Sequence, residues 1–165
     1  MPLYWNTNAN SLDDYRLAEK RFDEIKTVYI DAFETLCRIS VIAATLEGVI
    51  QYGTAVVPKT NGYITTEAFQ VMANGNKPSL LQLFHTGSVL VSATDCKLRN
   101  GLGHNSASYD VSKDEVHYSN QNNSGIQNFQ ISYTRLCETV VNIYQMFEVA
   151  TLYSDWLRTK VNVMR

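Results

Sequence analysis

Residues 18–50 read AEKRFDEIKTVYIDAFETLCRISVIAATLEGVI, and this stretch decides the fold. Its apolar positions Ala18, Phe22, Ile25, Tyr29, Ala32, Leu36, Ile39, Ala43, Leu46 and Ile50 advance in alternating steps of four and three. That spacing gathers side chains on one face of an α-helix. Acidic and basic residues fill the gaps in the first half, no proline interrupts, and Gly48 and Gly53 mark the fading end. The pattern predicts one long amphipathic helix, or two in tandem, with Ser11 or Asp13 as its cap. Asp13, Asp14, Asp23 and Glu24 form a solvated acidic face on it, while Tyr15, Phe22, Tyr29 and Phe33 supply core.

Working outward, residues 53–64 contain Pro58, Asn61 and Gly62 and read as a connection. Thr65 or Thr66 caps a short helix to about Ala73, closed by Asn74-Gly75-Asn76. Pro78 suits the first turn of a further helix, Ser79 to about Thr94, whose all-round apolarity predicts burial. Gly101 and Gly103 predict a break in regularity over 99–104. Short strands follow at Tyr109–Asp110, Glu115–Tyr118 and Gln127–Ile131, with Ser119–Gly125 as a polar loop. Ser132 or Thr134 then opens a last helix with Leu136, Val140, Ile143, Phe147, Ala150, Tyr153, Leu157 and Val161 on one stripe. The expectation is a mainly α chain, 1–165 as a single domain. Residues 1–10 are a loose lead-in, two long helices flank shorter ones, and a small β-hairpin insertion at 105–131 precedes the last helix.

Composition narrows the function classes. With 45% hydrophobic and 18% charged residues in 165, the chain is globular rather than disordered. Fourteen basic against sixteen acidic side chains, a net charge of −2, exclude a bulk polycation that holds nucleic acid by charge alone. Positive charge must be concentrated, and Lys97, Arg99 and Arg135 are the candidates. Three separated cysteines with no CxxC pair suggest neither a disulfide framework nor a zinc site. The amino terminus lacks a signal-peptide pattern, and the apolar run Ile39–Leu46 is far short of a membrane span. A cytoplasmic protein without membrane contact is expected.

The densest cluster of reactive types is Leu98-Arg99-Asn100-Gly101-Leu102-Gly103-His104-Asn105. Arg99 offers a permanent charge with fixed donors for a phosphate or oxyanion. His104 exchanges protons near neutrality, and Asn100 donates and accepts at once. On an ideal helix Asn100 and His104 share a face, whereas Arg99 and His104 lie about 140° apart. Arg99 and His104 therefore meet on one phosphate only if the segment is irregular or a second protomer contributes.

Arg99-Asn100 followed by His104 resembles the Arg-x(4–6)-His motif of HEPN domains, in which the residue after Arg is commonly polar. The helical context is similar, and Ser108-Tyr109-Asp110 resembles the Tyr-Asp segment that follows the motif in several bacterial HEPN-like families. The resemblance implies a helical bundle and metal-independent RNA cleavage, without cofactor, through attack of the ribose 2′-hydroxyl. It implies His104 as general acid or base, Arg99 as stabiliser of the transition-state charge, and Asn100 as a positioning group. Lys97, Asn105, Tyr109 and Arg135 are the accompanying substrate-binding candidates. The implied partners are single-stranded or looped RNA, a second copy of the chain in a homodimer, and an antitoxin or regulatory protein in a phage-defence or toxin–antitoxin setting. Ser106 departs from toxin branches that carry Tyr two residues after the His.

Plainer assignments stand beside these. Arg99 can cap or salt-bridge a helix end, and His104 can be a structural histidine. HEPN-like domains also include catalytically silent modules for dimerisation or nucleotide binding, some within larger proteins. His85 reads as a core histidine, His117 as an exposed strand residue and Cys96 as core. Tyr109 and Tyr118 are weak base-stacking candidates.

Overall fold

The computed structural model describes residues 22–83, 85–104, 106–110, 112–122 and 125–163. The lead-in, the Ser11 or Asp13 cap, Asp13, Asp14, Tyr15 and Asn105 lie outside the described residues, as do the side chains of His85, Leu157 and Val161. The chain is mostly helical with small antiparallel sheets.

The long ladder forms two helices in tandem, α1 (Phe22–Ile39) and α2 (Val41–Tyr52). Helical hydrogen bonding passes through the joint, with Ser40 N–H donating to Leu36 O and Ala44 N–H to Ser40 O. The Ser40 hydroxyl also donates to Cys37 O at 2.8 Å, a back-bond that bends helices. The bend lets each helix face its own core.

The first core joins Tyr29, Phe33 and Leu36 of α1 to Leu98 and Leu102, Val116 and Tyr118, and Leu136, Val140 and Ile143. The second joins Ala44 to Val57, Phe69, Leu81 and Val91.

Around the second core the structure departs from the sequence reading in two places. Residues 53–64 are not a plain connection. Strands β1 (Val56–Lys59) and β2 (Gly62–Thr65) pair antiparallel, with Lys59 opposite Gly62 and a left-handed Gly62 closing the turn. Pro58 is tolerated because a two-stranded ribbon leaves it an outer edge. Helix α3 (Thr66–Val71) then starts as read, with Thr65 accepting from Ala68 N–H. The expected continuous helix from Ser79 is instead two short ones, α4 (Lys77–Leu81) and α5 (His85–Val91). Apolar residues ring this segment, so breaking it buries Leu81, Leu90 and Val91 while Leu83 and Val89 stay exposed.

A further short helix, α6 (Cys96–Gly103), runs unbroken through the two glycines, contrary to the expected irregularity. Asp95 caps it, accepting from the N–H groups of Lys97 and Leu98. The buried Tyr29 hydroxyl donates to Asp95 O at 3.0 Å and ties α6 to α1. The three strands read in the insertion form one antiparallel sheet and are longer than expected: β3 (Ala107–Asp110), β4 (Glu115–Asn122) and β5 (Gly125–Ser132). The Ser119–Gly125 loop is thus shorter than expected, because Ser119 to Asn122 continue the ladder opposite Asn128 to Gly125. The last helix, α7 (Tyr133–Val163), opens where Ser132 Oγ accepts from Arg135 N–H. Leu136, Val140 and Ile143 are buried against α1, whereas Val149, Leu152 and Trp156 on its outer half are exposed.

Two glycines permit close contacts, the second of them beside the site. A Cβ on Gly48 would fall 1.7 Å from Val56 O, and one on Gly101 would fall 2.7 Å from Tyr118 Cδ2 and 3.1 Å from Ser119 O. Gly101→Ala is therefore expected to lower stability by about 1–3 kcal/mol, the usual cost of forcing atoms into a packed contact. Gly103→Ala, with nothing near its Cβ, is expected to be neutral or slightly stabilising. Thermal melting of the two variants side by side checks this.

Candidate nucleic-acid site beside His104

Three residues of α6, Lys97, Asn100 and Gly101, and the cap residue His104 that follows it are spaced as i, i+3, i+4 and i+7 along one stripe. The stripe faces the far end of the three-stranded sheet. Lys97 Nζ sits 5.1 Å above the Phe129 ring, and Phe129 stacks on Tyr118 with centroids 5.3 Å apart. Gly101 packs against Tyr118 and Ser119, and beyond it a groove of about 450 Å³ opens between α6 and the sheet. Asn100 and His104 form its helix wall; Ser106, Ser119, Asn120, Gln121 and Ile126 form the rest.

The groove is held open by fixed polar contacts. Ser106 Oγ lies 2.9 Å from both Gly101 O and Ser119 O, and Ser119 N–H donates to Ser106 O at 3.2 Å. His104 follows α6 as its cap, its backbone N–H donating to Asn100 O at 3.0 Å. Its side chain is exposed at the groove rather than buried in the core.

Arg99 points elsewhere, as its 140° offset demands. Its Nε donates to Glu34 Oε1 at 2.7 Å, and a second guanidinium nitrogen binds the same oxygen. Glu34 Oε2 accepts from Asn74 Nδ2. Burial alone would push the Glu34 carboxyl up, but hydrogen bonds from Asn74 and Arg99 and the charges of Arg99 and Arg38 outweigh it. The carboxyl is held below its ordinary value. The remaining guanidinium arm donates from Nη1 to Asn100 Oδ1 at 3.2 Å. Asn100 thus connects the ion pair to the groove. With its carbonyl engaged, its amide N–H groups are what it offers to a ligand.

The other candidates divide. Lys97 belongs to the His104 stripe. Tyr109 does not reach the groove: its hydroxyl donates to Asp114 Oδ1 at 2.7 Å, and its ring packs on Phe22 and Tyr133. The same bond to Asp114 raises the Tyr109 hydroxyl above its ordinary pKa. Arg135 pairs with Glu138 at 2.7 Å on the first turn of α7. That turn follows Ser132, which lies opposite Glu115, five residues along β4 from Asn120 and so about 17 Å away. Tyr118 is 7% exposed and stacked on Phe129, which removes it as a base platform. Asn105 lies outside the described residues. His117 is part-exposed beside Glu115, and Cys96 is part-buried with its thiol near Gly75 O.

The sequence reading missed Glu34 and Asn74 behind the motif, and Asn120, Gln121 and Ile126 in the groove. Glu34 carried a faint signal, a carboxylate on the helical row of Ile30, Cys37 and Val41. The amides of 120 and 121 carried none, because a polar run reads as loop.

Neither a family model, nor a characterised protein, nor a solved structure matches this chain.

Because the folded Glu34 carboxyl is more acidic than in the unfolded chain, its stabilisation is complete above the unfolded value of about 4.3. It is lost as pH falls through the lower folded value. Glu34→Gln is expected to flatten the acid limb of the stability–pH curve below about pH 4.3. Near neutrality it should cost about 1–2 kcal/mol, between exposed and fully buried pairs. Denaturant melts from pH 2 upward check both.

Proposed function

We propose that this chain is a HEPN-type, metal-independent endoribonuclease acting on single-stranded or looped RNA, as a homodimer. The observation that carries the reading is that His104 and Asn100 open together onto one polar groove, with Lys97 next on the same stripe. In the reaction the ribose 2′-oxygen bonds to the adjacent phosphorus, and the bond to the 5′-oxygen breaks. The products end in a 2′,3′-cyclic phosphate and a 5′-hydroxyl. His104 takes the 2′-hydroxyl proton or supplies one to the leaving oxygen. Asn100 donates its amide to a phosphate oxygen, and Lys97 adds positive charge beside it.

Arg99 is a positioning residue in this scheme. It holds the Asn100 carbonyl, while Glu34 offsets its charge within the chain. In-line cleavage needs a base and an acid at once, and among the described groove residues His104 is the one histidine. A second copy supplies the other histidine, which is the reason for the dimer. A defence or toxin–antitoxin setting, with a protein that restrains the activity, is part of the same proposal.

The Arg99–Glu34 pair favours a second reading, a catalytically silent HEPN-like module for dimerisation or nucleotide binding, with Arg99 structural. Incubation with RNA in EDTA separates the two. Wild type is expected to cut RNA but not DNA and leave 2′,3′-cyclic phosphate ends. His104→Ala should lose about 10²–10⁴-fold in rate, and Arg99→Ala/His104→Ala should be no more active. Equal activity in all variants, or none over a wide range of RNAs, replaces the enzyme with the module.

A further inference from the structure

Strand β5 is an outer strand of its sheet, with β4 on one side of it and no described strand on the other. The position of Ser119 fixes which backbone groups β5 turns outward. Residues opposite each other in an antiparallel pair alternate between those that exchange two hydrogen bonds and those that exchange none. Ser119 N–H donates to Ser106 O, away from β5, so Ser119 and Asn128 form a pair that exchanges none. Asn128 therefore aims its N–H and C=O at the open side, and so do Ile126 and Gln130, two residues either way. Among the described residues no hydrogen bond reaches these groups.

An open edge of this kind pairs with further strands unless a charge, a proline, a bulge or a short length blunts it. The other outer strands carry such devices. Pro58 and Lys59 lie on β1, while β2 and β3 are four residues long and β3 ends in Asp110. Strand β5 carries none of them. It runs eight residues, Gly-Ile-Gln-Asn-Phe-Gln-Ile-Ser, without a charge or a proline, and its register against β4 is one to one throughout. Apart from Phe129 and Ile131 every residue in it is exposed.

The edge is complementary to itself. Ser132, next in the outward series, caps α7 and commits its C=O to that helix, which leaves Ile126, Asn128 and Gln130 with both groups free. Two copies laid antiparallel with Asn128 opposite Asn128 set Ile126 opposite Gln130. In that register each of the three meets another of the three, and each pair exchanges two main-chain hydrogen bonds. No like charges come to lie opposite one another, and facing Asn128 amides are each other's donor and acceptor. Lys97, over the Phe129 ring, brings one charge to each side of the seam. Phe129 and its copy lie one strand and two residues apart, about 8 Å, so these exposed ammonium groups are about a Debye length apart and repel weakly.

We propose that β5 is a self-association surface, through which two copies of the chain pair antiparallel about Asn128 into one continuous sheet. The inference goes beyond the ribonuclease reading and does not rest on it. Strand β4 and its copy would lie three strand spacings apart, about 14 Å, so this seam does not itself bring two His104 side chains to one phosphate. A contact that shares histidines is a second one.

The test is sedimentation equilibrium of the full chain up to about 500 µM, a range suited to a small interface. The wild-type assembly is expected to have at least twice the mass of the chain. Asn128→Lys and Asn128→Glu each set like charges opposite one another at an exposed position, and each should halve that mass with the melting temperature unchanged. An equimolar mixture of the two variants should restore it. Amide exchange locates the surface: the N–H groups of Ile126, Asn128 and Gln130 should slow about tenfold when about nine-tenths of the chains are paired. If the variants do not fold, exchange in dilute against concentrated wild type decides. A wild type that stays monomeric leaves the edge to another occupant and overturns the proposal. So does an assembly whose mass neither substitution changes, a mixture that stays at the lower mass, or exchange at these three residues that ignores concentration.

Discussion

Glu34 holds three segments of the chain with two oxygens: α1 through its own backbone, α6 through Arg99, and the turn before α4 through Asn74. The arrangement carries a constraint. A half-buried carboxylate and guanidinium are tolerable because each satisfies the other, and Asn74 takes the second carboxylate oxygen. Removing any member leaves a charge or a polar group unsatisfied. Arg99 is consequently not at liberty to follow a ligand, and α6 is fixed about its own axis by a contact on the side away from the groove. The orientation of Asn100 and His104 follows from that contact.

The same logic explains how a short helix serves as one wall of a site. Eight residues give α6 little intrinsic stability. The Asp95 cap, the Tyr29 hydroxyl on Asp95 O, and Leu98 and Leu102 in the core fix it instead. Gly101 brings the sheet against it closely enough for Ser106 to bridge the two backbones. Nothing on that face is left to side-chain flexibility except the groups that meet solvent.

Much of this scaffold was legible in the sequence, and the parts that were not have physical reasons. The ladder from Phe22 to Ile50 and the stripe from Leu136 to Ile143 were clear because long helices repeat their periodicity many times. The hairpin at 56–65 was hidden by Pro58, a residue that argues against a strand unless an edge is free. Residues 79–94 read as one helix because their apolarity has no direction, and a break left no composition mark. Ser119 to Asn122 are polar on both faces, so no alternation announced a strand. In the site, the shared face of Asn100 and His104 followed from spacing alone, and so did the divergence of Arg99. Its partner did not, since Glu34 lies 65 residues away and proximity of that kind is a property of the packing.

Helix α7 spans 31 residues, about 46 Å at the usual rise, yet among its described side chains the fully buried ones end at Ile143. In helix–coil terms the half packed on α1 is the nucleus, where the unfavourable first turn is offset by tertiary contacts. The outer half is propagation, in which each added residue costs little once the helix exists. A long helix can thus run on past a small buried base, its farther turns half-covered where Ala150 and Tyr153 line a cleft with Ile39, Ile42 and Leu90.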